Sequence, residues 1–406
     1  MKYILVLLDG MADYPISSLG GKTPLEFAHT PTMDKLAKTS EIGLVQTVPE
    51  GYKPGSDVAN LGVLGYDVKK CYTGRSPLEA LSMGINLADD DLAMRANLVT
   101  LSDGCTFENK TMVDYGAGEI STAEAKILID GFNAFAADKC LMDGIKLYAG
   151  ISYRHCLVIK NTPPRETLIP PHDITGQQIG DYLPVGECAK KLIEIIKSSH
   201  AYLSGHPVNL ERIKQGKNPA NALWFWGEGT KPIVENFAVK YGKRGAIVSA
   251  VDLLKGIAIA GGMKAVQVDG ATGTLLTNFD GKARAAIAEL EGGTDFCMVH
   301  LEAPDECGHQ GDLNGKIKAI ELIDEKIISP IFEHFAANGE EFAMLIMPDH
   351  YTPLSKRTHS SEPVPYMLYR SSKVLQENGF YSEASAKASG VFIQNPEVLT
   401  KKFLSL

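Results

Sequence analysis

The chain has 406 residues and a mass of 43.9 kDa, which exceeds the usual size of one hydrophobic core and predicts two domains or one domain with a large insertion. Hydrophobic residues make up 44% of the chain, charged residues make up 22%, and the net charge is −9 with a pI near 5.6. This acidic balance argues against nucleic acid or an anionic membrane as the main partner.

The first predicted element is a short buried strand in the sequence KYILVLLDG. It is apolar throughout and closes on Asp9 and Gly10, a pattern typical of a strand in a parallel sheet. The run is far shorter than a membrane span, and it lacks the basic start and the cleavage site of a signal peptide.

The next predicted element is a helix that begins at Ser56 in the sequence YKPGSDVANLGVLGYD (52–67). Its apolar residues recur at helical spacing, and Gly55 permits a tight approach to its first turn. The start of a helix favours an alkoxide or phosphate oxygen because its amide groups are unpaired. Ser56 could instead be a plain N-cap, but Ala59 stands where a capping box needs Glu or Gln. Ser56 is therefore a candidate nucleophile.

The middle of the chain has a different pattern. Short strand-like segments with hairpin turns accompany an amphipathic helix near Ala123 to Phe135. The strand-like segments are MRANLVTL, TFENKTMVDYG, GIKLYAG and SYRHCLVIK. They predict an inserted α+β domain over residues 72–241, which leaves a core of residues 1–71 and 242–406. We expect the substrate to bind between the two domains.

Three later segments repeat the form of the first strand, namely RGAIVSAVD (244–252), DFCMVHLE (295–302) and EFAMLIMPDH (341–350). A helix lies between the last two, because isoleucines recur every three or four positions from Ile317 to Ile331 and Gly339 follows its end. Strand, helix, strand implies a parallel sheet with right-handed crossovers, and ligands of such sheets collect beyond the carboxyl ends of the strands.

The seven cysteines are scattered along the chain without a CxxC pair. This distribution is typical of a reducing compartment, so we expect a cytoplasmic protein. The sequence leaves the oligomeric state open, including a homo-oligomer.

Ionisable side chains follow three of the predicted strands. They are Asp9 after the first, Asp305 and His309 after the third, Asp349 and His350 after the last, and His359 nine residues later. Mixed carboxylate and imidazole ligands suit Mn²⁺ or Zn²⁺, whereas an all-oxygen set would favour Mg²⁺ or Ca²⁺. Six ligands exceed one tetrahedral site, and two ions roughly 3.5 to 4 Å apart could share them, as in phosphoryl-transfer enzymes.

Each of these residues also has a purely structural interpretation. Asp9 could be a simple turn residue, and Asp305 could cap the helix that begins near Asp312 or lie in solvent. Asp349 and His350 are harder to explain in this way, since two ionisable groups after an apolar strand need a partner. The coincidence of several strand ends with metal-ligand residues predicts a metal site.

Five segments resemble, in order, the motifs of one known family. They are VLLDG, PGSDVANLGVLGYD, YTGRSPLEA, EAPDECGHQGD and PDHYTP…THSSEPVP. The chain resembles cofactor-independent (2,3-bisphosphoglycerate-independent) phosphoglycerate mutase in its shorter archaeal-type form, a family of the alkaline phosphatase superfamily. The resemblance covers the core at both ends of the chain. It implies an alkaline-phosphatase-like α/β core, with a mainly parallel sheet flanked by helices, interrupted by an inserted α+β substrate domain.

The resemblance also implies an activity. It is the interconversion of 3-phosphoglycerate and 2-phosphoglycerate, in glycolysis and gluconeogenesis, through a phosphoserine intermediate. The family uses two divalent ions, usually Mn²⁺, with Zn²⁺, Co²⁺ or Mg²⁺ as alternatives, and needs no 2,3-bisphosphoglycerate. One alternative is a phosphotransferase or phosphatase of the same superfamily that acts on another phosphorylated metabolite, in the manner of a homoserine kinase. A second is a metal-stabilised binding protein without turnover.

The resemblance carries roles over to individual residues. It assigns one metal to Asp9, Ser56, Asp349 and His350, and the other to Asp305, His309 and His359. It makes Ser56 the phosphoryl acceptor and places Lys255 near the phosphoryl group. Arg75 and Arg154 are candidate clamps for phosphate or carboxylate, and His172 is a further substrate-binding candidate. Lys255 and the two arginines could instead be ordinary surface residues.

One segment of the predicted insertion departs from the family pattern. ALWFWGEGTKP (222–232) lacks the arginines that the longer bacterial-type enzymes carry in their substrate region, and has Trp224, Trp226 and Lys231 instead. We interpret the two tryptophans as core or cleft wall. This departure bears on the identity of the substrate more than on the type of reaction, because the inserted domain is the one expected to recognise the substrate.

Overall fold

The computed structural model describes residues 1–162, 167–373 and 379–405. Its strands are β1 (Lys2–Leu8), β2 (Glu41–Val45), β3 (Leu92–Leu101), β4 (Met112–Asp114), β5 (Ile145–Tyr148), β6 (Arg154–Ile159), β7 (Ala222–Gly229), β8 (Gly245–Val248), β9 (Lys264–Val266), β10 (Phe296–Leu301), β11 (Phe342–Met347), β12 (Val364–Arg370) and β13 (Phe392–Ile393).

The α-helices are α1 (Pro24–Phe27), α2 (Pro31–Ala37), α3 (Ser56–Val63), α4 (Val68–Cys71), α5 (Arg75–Ser82), α6 (Thr122–Asp138), α7 (Ala189–Leu203), α8 (Pro207–Lys214), α9 (Phe237–Tyr241), α10 (Asp252–Ala260), α11 (Phe279–Glu291), α12 (Ala303–Gln310), α13 (Leu313–Ile323), α14 (Ser329–Ala337), α15 (Glu383–Ala388) and α16 (Pro396–Phe403). Two compact units contain these elements. The core unit is Met1–Tyr72 with Ile233–Leu406, and the insert unit is Thr73–Pro232.

The core unit contains an eight-stranded sheet in the order β13-β2-β12-β11-β1-β10-β8-β9. Strand β1 lies between β10 and β11 and is parallel to both, and only β12 runs antiparallel to its neighbours among the described pairs. Every residue of β10 and β11 is buried, which explains their continuous apolar runs, since both faces of such a sheet are covered. The predicted α/β class with a mainly parallel sheet is confirmed.

The isoleucine-rich helix between β10 and β11 is present, and it contains an irregularity that the sequence pattern did not predict. A π-helical turn, Asp324–Ile328, joins α13 to α14. Pro330 follows it and has no N–H to donate to the preceding turn, which favours a local widening of the helix. The isoleucines from Ile320 to Ile331 pack against the buried face of the sheet, and Gly339 follows the end with a positive φ of 67°.

The insert unit contains an antiparallel sheet in the order β4-β3-β6-β5, with β7 also paired to β3. Helices α6 and α7 pack their apolar residues against it. The helix expected near Ala123 to Phe135 is α6, which begins at a capping box formed by Ser121 and Glu124. Strand β7 comes from the segment with the two tryptophans. Trp224 is buried in the unit's core, whereas Trp226 is only partly buried.

The insertion expected from the sequence extended to residue 241, but α9 belongs to the core unit. Its Phe237 stacks on Phe296 of β10 with ring centroids 4.9 Å apart. All seven cysteines are among the described residues, and all are free thiols. Within the described parts of the chain, no helix combines the length and the apolar character needed to cross a membrane.

Candidate active site

The carboxyl ends of three adjacent strands supply the site. In the register of the sheet, Leu8 at the end of β1 pairs with Leu301 at the end of β10, and β11 ends beside them. The residues that follow these strands, beginning with Asp9 after β1, therefore lie together at one edge of the sheet. This is where an open parallel sheet leaves room for a ligand.

A first group forms around His350, which is fully buried. Its Nε2 lies 3.2 Å from Ser56 Oγ, 3.5 Å from Asp9 Oδ1 and 3.4 Å from Asp349 Oδ2. Ser56 is the first residue of α3, whereas the N-cap is Gly55 and no side chain caps this helix. The interpretation of Ser56 as a plain N-cap is therefore wrong, because its hydroxyl points to the His350 ring instead of a backbone amide.

A second group consists of Asp305, His309 and His359. Asp305 and His309 lie one turn apart on α12, a helix that the sequence pattern did not predict, so both side chains lie on one face of it. Asp305 Oδ2 is 3.3 Å from His309 Nε2, and Asp305 Oδ1 is 3.4 Å from His359 Nε2. The structural interpretation of Asp305 as the cap of the next helix is wrong, since Asp312 caps α13.

The tautomers of these two histidines follow from their backbone contacts. His309 Nδ1 lies 3.0 Å from the Arg357 carbonyl, and His359 Nδ1 lies 3.4 Å from the Pro54 carbonyl. A carbonyl only accepts, so both Nδ1 atoms carry hydrogen and both Nε2 atoms face inward. The two Nε2 atoms are 2.9 Å apart. Two lone pairs beside a carboxylate need a proton or a cation between them.

The two groups share one carboxylate. Ligand atoms of Asp9, Asp305 and His350 lie within 4.8 Å of one another, and so do those of Asp305, His309 and His359. The rings of His350 and His359 are 4.0 Å apart between centroids. Asp305 is thus placed to contribute to two neighbouring cation positions.

The electrostatics of these residues favour added positive charge. Burial, followed by the charges of Asp349 and Asp305, raises the pKa of Asp9 well above its usual value. Among the described residues, Asp9 Oδ1 is a buried oxygen without a hydrogen-bond donor. The Asp305 carboxylate accepts a hydrogen bond from His309 and raises the pKa of that ring to about 9. The oxygen and nitrogen donors therefore fit divalent cations, which would replace these protons.

Other polar side chains hold the candidate ligands in place. His300 Nε2 lies 2.8 Å from Asp9 Oδ2, and His300 Nδ1 lies 3.1 Å from Ser249 Oγ. Burial lowers the pKa of His300 to about 3, so the ring is neutral and its one N–H donates to Asp9. Asn60 Nδ2 donates to Asp349 Oδ2 at 2.8 Å. Sequence reasoning missed these residues, although a histidine inside an apolar strand was a signal for His300.

The remaining candidate of the core unit is Lys255. It lies in the first turn of α10, and its Nζ forms an ion pair with Asp252 at 3.1 Å. Its placement near a phosphoryl group stays a prediction.

The insert unit gathers the arginine candidates around one carboxylate. Glu79 lies 2.9 Å from Arg75 Nε and 3.4 Å from Arg95 Nε. Burial opposes ionisation of Glu79, but the charges of Arg95, Arg75 and Arg154 outweigh it and lower its pKa. Sequence reasoning missed Arg95, which lies in the middle of a strand where a charged residue was a signal. Three guanidinium groups and one carboxylate leave a net positive site.

Aromatic rings border this arginine cluster. The guanidinium of Arg95 lies 4.9 Å from the Trp226 ring centroid, and the His172 ring lies 5.1 Å from the same tryptophan. Arg154 lies over Tyr153 at 5.4 Å. Arg75, Arg154 and His172 therefore come together with Arg95 in the insert unit, and the combination of flat rings and guanidinium groups suits a small anionic ligand.

Comparisons with known proteins agree on one family. The family model for 2,3-bisphosphoglycerate-independent phosphoglycerate mutase matches residues 37–209. A curated protein of that name from Methanosarcina acetivorans is 50% identical over 371 residues, which cover 91% of each chain.

Two solved structures are similar over the whole chain. A protein from Pyrococcus horikoshii superposes with a TM-score of 0.81 at 30% identity, and covers 100% of this chain and 97% of its own. The cofactor-independent phosphoglycerate mutase from Thermoplasma acidophilum gives a TM-score of 0.66 at 25% identity, with 100% and 99% covered.

Proposed function

Because the chain belongs to the 2,3-bisphosphoglycerate-independent phosphoglycerate mutase family, we propose that it interconverts 3-phosphoglycerate and 2-phosphoglycerate by phosphoryl transfer through Ser56. The observation that carries this proposal is the position of the Ser56 hydroxyl, 3.2 Å from His350 Nε2 and next to two candidate cation positions. A hydroxyl at a helix start, free of any capping role, is suited to accept a phosphoryl group.

The transfer occurs in two balanced displacements. Ser56 Oγ attacks phosphorus, its P–O bond forms, and the bond to the 3-oxygen of glycerate breaks, while the serine proton ends on that oxygen. The glycerate then turns, its 2-hydroxyl oxygen attacks the phosphoserine, and the proton of that hydroxyl returns to Ser56 Oγ. Water must be excluded between the two steps, since hydrolysis of the phosphoserine would compete.

The seven candidate ligands would hold two divalent cations. They are Asp9, Ser56, Asp349 and His350 for one position, and Asp305, His309 and His359 for the other, and Asp305 also lies within reach of the first position. Mn²⁺ is the ion we propose, because imidazole nitrogens accompany the oxygens. Bound cations would neutralise charge on the phosphoryl oxygens and lower the pKa of the attacking hydroxyl.

The ligands' neighbours prepare these positions. His300 holds Asp9 Oδ2, which leaves Oδ1 for a cation. Asn60 Nδ2 donates to Asp349 Oδ2, and the backbone N–H groups of Gly10 and His350 donate to Asp349 Oδ1. Such outer contacts orient a ligand before the ion arrives. The amides of the first turn of α3, of which that of Val58 donates to Asp57 Oδ1, add favourable charge for a phosphate on Ser56.

We assign recognition of the substrate carboxylate to the insert unit. Arg75, Arg95 and Arg154 provide more positive charge than Glu79 balances, and a guanidinium fork fits a carboxylate in two hydrogen bonds. His172 lies at the edge of the same cluster. We also propose a cytoplasmic location, which the seven free thiols support.

The test is a direct assay with 3-phosphoglycerate and Mn²⁺, followed by ³¹P NMR, in the absence of 2,3-bisphosphoglycerate. We expect 2-phosphoglycerate to form, EDTA to stop the reaction, and Ser56→Ala to abolish it. Substrate labelled with ³²P should transfer its label to wild-type protein and not to the variant. Release of inorganic phosphate without 2-phosphoglycerate would identify a phosphatase, and a label on another residue would remove Ser56 from its role.

A further inference from the structure

Thr352 is a fully buried residue that lies between the two groups of candidate ligands. Its Oγ1 is 2.5 Å from Asp305 Oδ1 and 3.2 Å from His350 Nδ1. Asp305 belongs to both groups, and His350 belongs to the first. One hydroxyl therefore contacts ligands of both cation positions.

The direction of these two hydrogen bonds follows from proton counting. The Asp305 carboxylate only accepts, so the single hydroxyl proton of Thr352 goes to Asp305 Oδ1. The Thr352 oxygen then accepts from His350 Nδ1, which must carry hydrogen. The remaining nitrogen of His350, Nε2, is left with its lone pair directed at Ser56 and Asp9. Thr352 thus selects the tautomer in which His350 can bind a cation.

Two glycines make room for the Thr352 side chain. A Cβ atom at Gly10, where φ is +61°, would lie 2.5 Å from Thr352 Oγ1, and a Cβ at Gly308 would lie 2.8 Å from Thr352 Cγ2. Gly10 follows β1 and Gly308 lies on α12, between Asp305 and His309. Two glycines from distant parts of the chain therefore pack directly onto the threonine.

The backbone of Thr352 is fixed as well. Its N–H donates to the Ala12 carbonyl at 3.3 Å, and its carbonyl accepts from Lys316 Nζ at 2.8 Å. Lys316 is fully buried and is neutralised by Asp13, 2.8 Å away. This internal ion pair holds the segment that carries Thr352 against the end of β1.

We propose that Thr352 is a positioning residue that couples the two cation positions, because its hydroxyl orients Asp305 and sets the tautomer of His350 at the same time. The inference rests on the pair of cations in the proposed function. Its consequence is that loss of one hydroxyl, which is itself no ligand, weakens both positions together.

The experiment compares Thr352→Val, which keeps the shape and removes the hydroxyl, with Thr352→Ser, which keeps the hydroxyl. Thr400→Val is the matched control, since it removes another buried hydroxyl whose partners are the carbonyls of Val63 and Pro396. Mn²⁺ binding is measured by equilibrium dialysis and by the EPR spectrum of the bound ions. For Thr352→Val we expect about 10- to 100-fold weaker binding at both positions and loss of the exchange-coupled signal of a manganese pair. Serine should restore both, and Thr400→Val should match wild type.

Several results would overturn the inference. Wild-type affinity in folded Thr352→Val would do so, and so would a loss confined to one position, or equal losses in the valine and serine variants. If Thr352→Val does not fold, as judged by circular dichroism in EDTA, Thr352→Ala provides the same comparison. A wild-type protein that binds no Mn²⁺ would remove both this inference and the metal requirement of the proposed function. Intact Mn²⁺ coupling without 2-phosphoglycerate formation would remove the mutase reaction and leave the role of Thr352 standing.

Discussion

The two units gather charge in opposite ways. In the core unit, the carboxylates of Asp9, Asp305 and Asp349 lie close together in a buried site, with histidine rings between them. In the insert unit, guanidinium groups of Arg75 and Arg95 surround the carboxylate of Glu79. The first arrangement favours the binding of cations, and the second has positive charge left for an anion.

This difference shows how each site is stabilised before a ligand arrives. The core site stabilises its closely spaced carboxylates with outer hydrogen bonds, such as that from His300 to Asp9, and with a proton on His309. The insert site has a built-in counter-ion, Glu79, whose side chain is only 15% exposed. The stability of the core site should therefore depend on bound metal ions, whereas the stability of the insert site should depend on its ion pairs.

The largest expected effect comes from the carboxylate that both cation positions share. Asp305→Asn should reduce bound Mn²⁺ from two ions to fewer than one, and lower kcat by about 10³-fold or more, since several kcal/mol of charge stabilisation would be lost. His359→Asn is the matched variant, because it belongs to one group only and should leave one ion bound. Mass-spectrometric metal analysis after dialysis measures both. Equal losses in the two variants would contradict a shared role for Asp305.

The second test removes the counter-ion of the insert unit. Glu79→Gln leaves Arg95, whose side chain is 12% exposed, without its charged partner, which should cost about 3 kcal/mol of unfolding free energy. In the wild type, the Glu79 pKa is lowered in the folded protein. The ionised carboxylate therefore contributes to the free energy of unfolding above the unfolded pKa of about 4.3, and this contribution is lost as the pH falls through the lower folded pKa. Urea unfolding at pH 7 and at pH 3.5 should show a smaller difference between the two proteins at the acid pH. Mn²⁺ affinity should stay unchanged.

The third test addresses anion binding. Arg75→Leu should raise KM for 3-phosphoglycerate by about 10- to 100-fold, the effect of one lost charge-assisted hydrogen bond, with a smaller change in kcat. Arg75→Lys should recover only part of the loss, because an ammonium group cannot make the two-point contact. Arg244→Leu, an exposed arginine of the core unit paired with Asp295, is the control. A fall in kcat at constant KM would show that Arg75 does not contribute to substrate binding in the ground state.

The smallest expected effect is a pH dependence of the core site. The Asp305 carboxylate raises the pKa of His309 to about 9, so protonation of His309 stabilises the fold below the unfolded pKa of about 6.5, and this gain is lost as the pH rises through 9. A cation displaces the same proton, and Mn²⁺ affinity should therefore rise by about tenfold per pH unit between pH 7 and pH 9. Titration calorimetry measures the slope. A slope that persists in His309→Asn would assign the proton to another group.

The sequence by itself determined the elements that carry the candidate chemistry. Continuous apolar runs identified β1, β8, β10 and β11, because strands buried on both faces have no polar side, and the parallel arrangement followed from the helix between the last two. That arrangement already directs the residues after each strand to one edge. The position of Ser56 at a helix start was also predicted from the local sequence, because the apolar residues that follow it recur at helical spacing.

Only the tertiary structure decided how those residues share their contacts. That Asp305 belongs to two groups, that His300 holds Asp9, and that Arg95 joins Glu79 all depend on residues far apart in the chain. Thr352 is the clearest case, since a threonine after a strand has no pattern of its own in the sequence. Its role comes from the packing of Gly10 and Gly308 against it, and local periodicity carries no information about such distant packing.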